Sequence, residues 1–240
     1  MKILSIGNSF SQDAHRYLHR VAKNDGCELK TVNLYIGGCS LRTHYLNMLG
    51  DKAAYDLEFN GESTEIKVSI KQALESVDWD IVTLQQVSRY SAKQETYSPY
   101  IEELARYVKK YCPHCKIFLH ETWAYEEGSE LLENVAGYHS PCEMLHDIQN
   151  AYVKAANSIQ ADGIIPCGTA MLKAISLGIE KIHRDTFHAS LGAGRYLLAL
   201  TWYKALTGKD ISQNLFNDFD EPVTQEEREI VIKAVNFALK

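Results

Sequence analysis

The sequence lacks the features that mark several large classes of protein. No apolar run approaches the roughly 20 residues that a membrane-spanning helix requires, and one lysine before the short apolar run at residues 3–6 does not make a secretory leader. Neither a Gly-x-Gly-x-x-Gly fingerprint nor a Walker loop is present. Lys and Arg number 25 against 31 Asp and Glu, so no basic face for nucleic acid is expected. We therefore expect a cytoplasmic chain with neither a membrane nor a nucleic-acid partner.

Cysteine is sparse and irregularly placed. Among six cysteines, only Cys112 and Cys115 have the spacing of a redox or metal pair. A structural zinc site needs a second such pair. A thioredoxin-like pair opens a helix after a strand, whereas this pair falls between a predicted helix and a predicted strand. We interpret these cysteines as loop residues, expect no metal or organic cofactor, and keep a redox or metal protein as a third hypothesis.

The sequence does contain alternating strand and helix patterns. Apolar residues make up 45% of the chain and charged residues 23%, which is typical of a globular protein. Strands are predicted from apolar or alternating runs at residues 3–6, 28–36, 80–84, 117–120 and 163–166. Helical spacing of apolar residues separates them. This order predicts an α/β fold, a three-layer α/β/α sandwich with a parallel five-stranded, flavodoxin-like sheet, in one domain over residues 1–240.

Residues 51–69 depart from this alternation. Two alternating runs flank Asn60-Gly61, which is the strongest short-range signal for a hairpin. We predict a small β-hairpin excursion on the α/β body.

Polar and glycine residues follow the predicted strands. Ser9 comes after the first strand and Gly38 after the second, while His188 lies in a loop before an apolar helix at 189–206. Strand-end loops of a parallel sheet gather along one edge. Acyl transfer needs a hydroxyl nucleophile, a base within reach and donors aimed at the developing oxyanion. Ser9, His188 and Gly38 offer such a set.

These blocks resemble the SGNH (GDSL-type) ester hydrolases, and more narrowly a bacterial branch of that family. Gly7-Asn8-Ser9 stands where the family usually has Gly-Asp-Ser, and Asp185-x-x-His188 comes near the C-terminus in the family's order. The resemblance implies that Ser9 is the nucleophile and that His188 is the general base and then the acid. It also implies that Asp185 fixes the imidazole tautomer, and that the backbone N–H groups of Ser9 and Gly38 line an oxyanion hole.

One block departs from the family pattern. The third oxyanion donor of the family is an Asn side chain after the third strand, but here the chain reads Leu84-Gln-Gln-Val-Ser88. A glutamine carboxamide donates in the same way from one methylene further out. We therefore predict that Gln86, in preference to Gln85, supplies this donor.

Other side chains at the same edge are predicted to line the substrate pocket. These candidates are Gln85, His120, Glu121 and Trp123, with Tyr35 and Tyr125 as further stacking surfaces. Specificity is expected to depend on the loops at 39–68 and 122–143.

Two functions from different classes follow. The leading hypothesis is a serine ester hydrolase that cleaves small acyl esters through an acyl-enzyme on Ser9. By family analogy its substrate is a small-molecule or carbohydrate ester, such as an O-acetylated sugar. The alternative is a non-catalytic, flavodoxin-like protein that binds a phosphate or another ligand at residues 7–11. That alternative leaves Asp185 and His188 without a role. The oligomeric state is not predicted.

Overall fold

The computed structural model describes residues 1–240 and contains one seven-stranded sheet. The strands are β1 (Lys2–Gly7), β2 (Lys30–Tyr35), β3 (Tyr55–Phe59), β4 (Glu62–Val68), β5 (Ile81–Leu84), β6 (Lys116–His120) and β7 (Gly163–Ile165). Their order across the sheet is β4-β3-β2-β1-β5-β6-β7. Five neighbours, β2, β1, β5, β6 and β7, run parallel. The predicted parallel five-stranded sheet is confirmed.

The predicted hairpin is present, and it extends the sheet. β3 pairs antiparallel with β2, and β4 pairs antiparallel with β3. Asn60 and Gly61 form the turn with φ values of 52° and 82°, as two-residue hairpin loops favour. The hairpin is therefore part of one seven-stranded sheet, because it supplies hydrogen-bond partners to the edge that β2 would otherwise expose.

Helices cover both faces of this sheet. They are α1 (Ser9–Asn24), α2 (Leu41–Leu49), α3 (Ile70–Ser76), α4 (Ser88–Ser91), α5 (Tyr100–Tyr111), α6 (Pro141–Ile159), α7 (Cys167–Ser176), α8 (Ala193–Thr207) and α9 (Gln225–Ala238). Helix α5 begins at Tyr100, directly after Pro99, which disfavours helical backbone in the residue before it. None of these helices has both the length and the apolar character needed to cross a membrane.

Each face of the sheet buries its own apolar core. Alternation along β1 directs Ile3 toward the face covered by α1, α7, α8 and α9, and directs Leu4 and Ile6 toward the face covered by α2, α3, α5 and α6. Helix α8 is buried on most of its surface because α1, α7 and α9 pack around it. This double packing fixes the carboxyl ends of β1, β2 and β5 beside one another.

Candidate active site

Ser9, His188 and Asp185 form a hydrogen-bonded chain at the carboxyl end of β1. Ser9 Oγ lies 2.9 Å from His188 Nε2, and His188 Nδ1 lies 2.8 Å from Asp185 Oδ2. The backbone N–H of His188 also donates to Asp185 Oδ1, at 2.9 Å. Burial alone would raise the pKa of Asp185, but these hydrogen bonds outweigh it and lower that pKa. An ionised Asp185 holds the imidazole proton on Nδ1, which leaves Nε2 to accept from the Ser9 hydroxyl.

Ser9 stands in a tight turn from strand to helix. It is the first residue of α1, and the preceding Asn8 caps the helix by accepting from the N–H of Phe10 at 3.0 Å. The N–H of Asn8 in turn donates to Ser11 Oγ at 3.1 Å. Gly7 cannot carry a side chain, because a Cβ there would lie 2.0 Å from Ser11 Oγ. Since the cap already uses amides that a phosphate would need, the turn offers little to the phosphate-binding alternative.

A buried ion-pair cluster ties the acid–base loop (residues 183–188) to α1. Asp13 of α1 is fully buried. Arg184 Nη1 donates to its two carboxylate oxygens at 2.8 and 3.0 Å, and Arg195 Nε of α8 donates at 2.9 Å. Because a buried carboxylate is tolerated only when it is paired, this cluster fixes how the loop docks. Sequence reasoning missed Asp13; the available signal was an acidic residue on the apolar face of an amphipathic helix.

Two further contacts hold the backbone of the acid–base loop. Trp123 Nε1 donates to the carbonyl of Phe187 at 2.7 Å, and Glu126 N donates to the carbonyl of Thr186 at 2.8 Å. Thr186 has a φ of 71°, a left-handed conformation that non-glycine residues adopt only when their surroundings impose it. Trp123 is buried and stacks on Phe10 with ring centroids 3.8 Å apart. It supports the loop, and the prediction that it lines the pocket is wrong.

Gly38 lies in the turn after β2, with a φ of 62° that favours glycine. No hydrogen bond within the protein uses its N–H. The N–H of Ser9, in the first turn of α1, is likewise outside the internal hydrogen bonding of that helix. Asn8 Nδ2 donates to the carbonyl of Cys39 at 3.0 Å, which joins the two turns. Both N–H groups are available as oxyanion donors, and that role stays a proposal.

The prediction that Gln86 supplies a third donor is contradicted by its contacts. Gln86 Nε2 donates to the carbonyl and the hydroxyl of Thr96, each at 3.1 Å. Its Oε1 accepts from the N–H groups of Leu41 at 3.0 Å and Val87 at 2.9 Å. The residue is 1% exposed. Its carboxamide is committed to holding three backbone segments together and does not face the cavity.

Gln85 and His120 form a buried hydrogen-bonded chain that reaches Asn8. They were predicted to line the pocket, but neither borders the cavity. Gln85 Nε2 donates to Asn8 Oδ1 at 2.7 Å, and His120 Nδ1 lies 2.7 Å from Gln85 Oε1. Because an amide oxygen only accepts, Nδ1 is the donor. Burial lowers the pKa of His120 to about 3, so the ring is neutral. The chain orients the Asn8 cap from below.

Glu121, another predicted pocket residue, caps helix α7. Its Oε1 accepts from Thr169 N at 2.9 Å and from Thr169 Oγ1 at 3.1 Å. Burial raises the pKa of Glu121 to about 7, although hydrogen bonds from Thr169 and Gly168 act against the rise. The carboxyl group does not border the cavity that contains Ser9.

A cavity of about 350 Å³ opens onto Ser9. Its walls come from the turns after β1, β2 and β5 and from the acid–base loop, and they include the aromatic residues Tyr35, Tyr125 and Phe187. Sequence reasoning named the two tyrosines but missed Phe187 and Arg89, which also border this cavity. A larger cavity, of about 700 Å³, lies against α6 and α7 and includes none of these residues.

The closely spaced cysteines are buried thiols. Cys112 and Cys115 are 7% and 2% exposed, and no cysteine in the chain forms a disulfide. Burial raises the pKa of both thiols, that of Cys115 to about 11. A reactive or metal-binding cysteine needs a lowered pKa, and no group of His, Cys, Asp and Glu side chains is arranged to hold a metal ion. The redox or metal hypothesis has no support at this pair.

Comparison with known families places this chain. A sequence model of the family described as "Domain of unknown function (DUF4886)" matches residues 2–237. The chain belongs to the DUF4886 family. The crystal structure of a DUF4886 family protein from Bacteroides uniformis is similar, with 33% identity and a TM-score of 0.91 over 100% of this chain and 94% of the other. Among curated proteins, none matches.

The DUF4886 fold of this chain is also that of SGNH hydrolases. A candidate SGNH hydrolase from Slackia heliotrinireducens has a TM-score of 0.62 at 21% identity, over 86% of this chain and 98% of the other. An acetylxylan esterase from Geobacillus stearothermophilus has a TM-score of 0.54 at 15% identity, over 86% and 94%. At these identities the likeness concerns the fold, and it confirms the SGNH-type fold that the sequence motifs predicted.

Proposed function

We propose that this DUF4886 protein is a serine ester hydrolase. The observation that carries the proposal is the chain from Ser9 Oγ through His188 to Asp185, with heavy-atom distances of 2.9 and 2.8 Å, in which Ser9 and His188 border a cavity. A hydroxyl within hydrogen-bond reach of a base, itself oriented by a third group, is the arrangement that covalent acyl transfer requires. The shared fold with SGNH hydrolases supports the same reading.

In the first half-reaction, Ser9 Oγ attacks the ester carbonyl while His188 Nε2 takes the hydroxyl proton. Asp185 stabilises the resulting imidazolium by accepting from Nδ1. The negative charge on the former carbonyl oxygen is stabilised by the N–H groups of Ser9 and Gly38. The C–O bond to the alcohol then breaks, the alcohol takes the proton from Nε2, and the acyl group stays on Ser9.

In the second half-reaction, water replaces the alcohol. His188 Nε2 removes a proton from the water as its oxygen attacks the acyl carbonyl, and the same N–H groups of Ser9 and Gly38 receive the oxyanion. When the intermediate collapses, Ser9 Oγ regains its proton from His188 and the carboxylic acid leaves. Because one imidazole serves as base and acid in both halves, its hydrogen bond to Asp185 is used throughout.

The substrate class that we propose is a small acyl ester, with O-acetyl groups of carbohydrates as the leading example. The volume of about 350 Å³ is at the lower end of the roughly 300–1,000 Å³ of ligand pockets. The half-buried Tyr35 ring in its wall offers a stacking surface to a sugar, whereas Tyr125 is buried. The acetylxylan esterase is one of the proteins that share the fold.

Labelling with a fluorophosphonate probe tests this function. We expect wild-type protein to be labelled, and Ser9→Ala and His188→Ala to lose both labelling and turnover of p-nitrophenyl acetate. Ser212→Ala, an exposed serine remote in sequence from the site, is the matched control and should be labelled like wild type. Labelling that survives in Ser9→Ala, or no turnover of any acetyl ester by folded wild-type protein, would remove the basis for the proposal.

A further inference from the structure

Arg89 is a cation in the cavity wall without a carboxylate partner in the protein. It lies in α4, just after β5, and is exposed. Unlike Arg184, whose guanidinium is fixed by Asp13, Arg89 forms no ion pair with any carboxylate; its guanidinium carbon lies 5.1 Å from the Tyr90 ring centroid. A guanidinium has five N–H donors and is charged at every relevant pH. These donors are free for a ligand.

This charge lies close to the turn that carries Gly38. A Cβ placed on Gly38 would lie 3.9 Å from Arg89 Nη1. Arg89 also acts on Tyr125: burial raises the pKa of that phenol, and the nearby guanidinium works against the rise. Among the residues that border the cavity, Arg89 is the single lysine, arginine, aspartate or glutamate. The permanent charge among the residues that border the cavity is therefore positive.

We propose that Arg89 binds a carboxylate on the alcohol part of the ester, so that the enzyme acts on acyl esters of alcohols that carry a carboxylate. This inference rests on the proposed hydrolase function. The planar guanidinium matches a carboxylate with two parallel N–H···O bonds. A phosphate dianion normally calls for more positive charge, and no second cation borders the cavity.

The exposure of Arg89 decides which part of the substrate it meets. The acyl group stays on Ser9 until water releases it, whereas the alcohol leaves for solvent, and Arg89 is an exposed side chain of the cavity wall. Arg89 is also a poor oxyanion donor, because effective donors are held rigidly in place and no hydrogen bond or ion pair within the protein holds this side chain, whereas the N–H groups of Ser9 and Gly38 belong to the backbone. Arg89 is thus assigned to substrate selection, and the backbone N–H groups to the oxyanion.

Two acetyl esters of matched shape test the assignment: 4-acetoxybenzoate, with a carboxylate on the alcohol, and the neutral 4-acetoxybenzamide. We expect the ratio of kcat/KM for 4-acetoxybenzoate to kcat/KM for 4-acetoxybenzamide to fall about tenfold in Arg89→Gln. The fall is of this size because the substitution removes a charge-assisted hydrogen bond that solvent exposure weakens. Arg89→Lys should restore part of the ratio. Lys93→Gln is the matched control, because it removes a positive charge beside the same Tyr90 ring. Lys93 does not border the cavity, so the ratio should stay at the wild-type value.

Three results would overturn the assignment. The first is an unchanged ratio in Arg89→Gln. The second is an equal fall in kcat on both esters, which would make Arg89 an oxyanion donor. The third is a stronger Arg89-dependent preference for 4-acetoxyphenyl phosphate than for the benzoate, which would make phosphate the recognised group. Ser9→Ala, assayed in parallel, separates this inference from the proposed function. Esterase activity that persists in Ser9→Ala contradicts the proposed function, in which Ser9 is the nucleophile. Loss of activity in Ser9→Ala, together with an unchanged ratio in Arg89→Gln, contradicts only the role of Arg89.

Discussion

The acid–base loop (residues 183–188) and the glutamine segment (residues 85–89) reach the same edge of the sheet in opposite ways. In the acid–base loop, the side chains of Asp185 and His188 carry the chemistry, and contacts from other elements hold the backbone. In the glutamine segment, the side chains of Gln85 and Gln86 do the holding. There the side chain left free beside the cavity is that of Arg89.

The difference shows that proximity to a strand end does not assign a role to a polar residue. A buried amide with all its hydrogen bonds made inside the protein has nothing left for a substrate, as Gln86 illustrates. Ser9 and His188 border the cavity and hydrogen-bond to each other there. Four substitutions test this division between side chains that take part in catalysis and side chains that stabilise the surrounding structure.

Asp185→Asn should have the largest effect, because an amide at this position favours the wrong imidazole tautomer. We expect kcat for p-nitrophenyl acetate to fall about 10³–10⁴-fold, with little change in the urea midpoint of unfolding. Asp218→Asn, an exposed carboxylate paired with Arg20, is the control. A loss below about tenfold would mean that Asp185 holds the loop and does not act on His188.

Asp13→Asn tests the anchor of the acid–base loop. Removing the buried carboxylate leaves Arg184 and Arg195 without their shared partner, and we expect the free energy of unfolding to fall by about 3–5 kcal/mol. Urea unfolding measures it. Lys67→Met breaks an exposed pair with Asp56 and should cost less than about 1 kcal/mol. Equal losses in the two variants would show that the buried cluster does not anchor the loop.

Glu121→Gln tests a carboxyl group that ends a strand at this edge but stands outside the cavity. Burial raises its pKa from 4.5 to about 7 in the folded protein, so the folded state binds the proton more tightly than the unfolded state. This contribution to stability is complete below pH 4.5 and is lost as the pH rises through 7. The stability of wild type relative to Glu121→Gln should therefore decrease by on the order of 3 kcal/mol from pH 4 to pH 8.

Chemical denaturation of both proteins across that pH range measures this decrease. The amide can still accept the hydrogen bonds of Thr169, so the substitution removes the titration and keeps the contacts. A pH-independent difference would show that the carboxyl group is not buried in the way described. A large loss of kcat at pH 7 would instead restore the prediction that Glu121 lines the substrate pocket.

Gln86→Ala should have the smallest effect, and it should act on stability. The N–H groups of Leu41 and Val87 lose their acceptor, which costs about 1–3 kcal/mol for a buried group. Gln225→Ala, an exposed glutamine at the start of α9, is the control for urea unfolding. A loss of kcat above about 100-fold with unchanged stability would restore the predicted oxyanion role.

Much of the fold follows from local pattern. Short apolar strands alternating with amphipathic helices predict the parallel sheet, and Asn60-Gly61 marks the hairpin turn. The same local pattern placed Ser9 and His188 in strand-end and helix-start loops. The pairing of the hairpin with β2 was not predicted, because strand pairing across that edge depends on long-range geometry that local periodicity does not encode.

The roles of the polar residues were harder to predict, for a physical reason. Hydrogen-bonding side chains are equally suited to bind a substrate and to satisfy buried polar groups. The sequence therefore does not distinguish these two roles for Gln86 or for His120. Asp13 was detectable in principle, since it stands on the face of α1 that also buries Phe10 and Tyr17. Its partners Arg184 and Arg195 are more than 170 residues away along the chain, and only the folded chain brings them together.

Trapping the acyl-enzyme gives the decisive measurement. Wild-type protein mixed with p-nitrophenyl acetate and quenched in acid within the first turnover should carry one acetyl group on the peptide that contains Ser9. The Ser9→Ala protein, treated in the same way, should lack that acetyl group and should not turn over the ester. Acetylation at another residue, with turnover undiminished in Ser9→Ala, would contradict the assignment of Ser9 as the nucleophile.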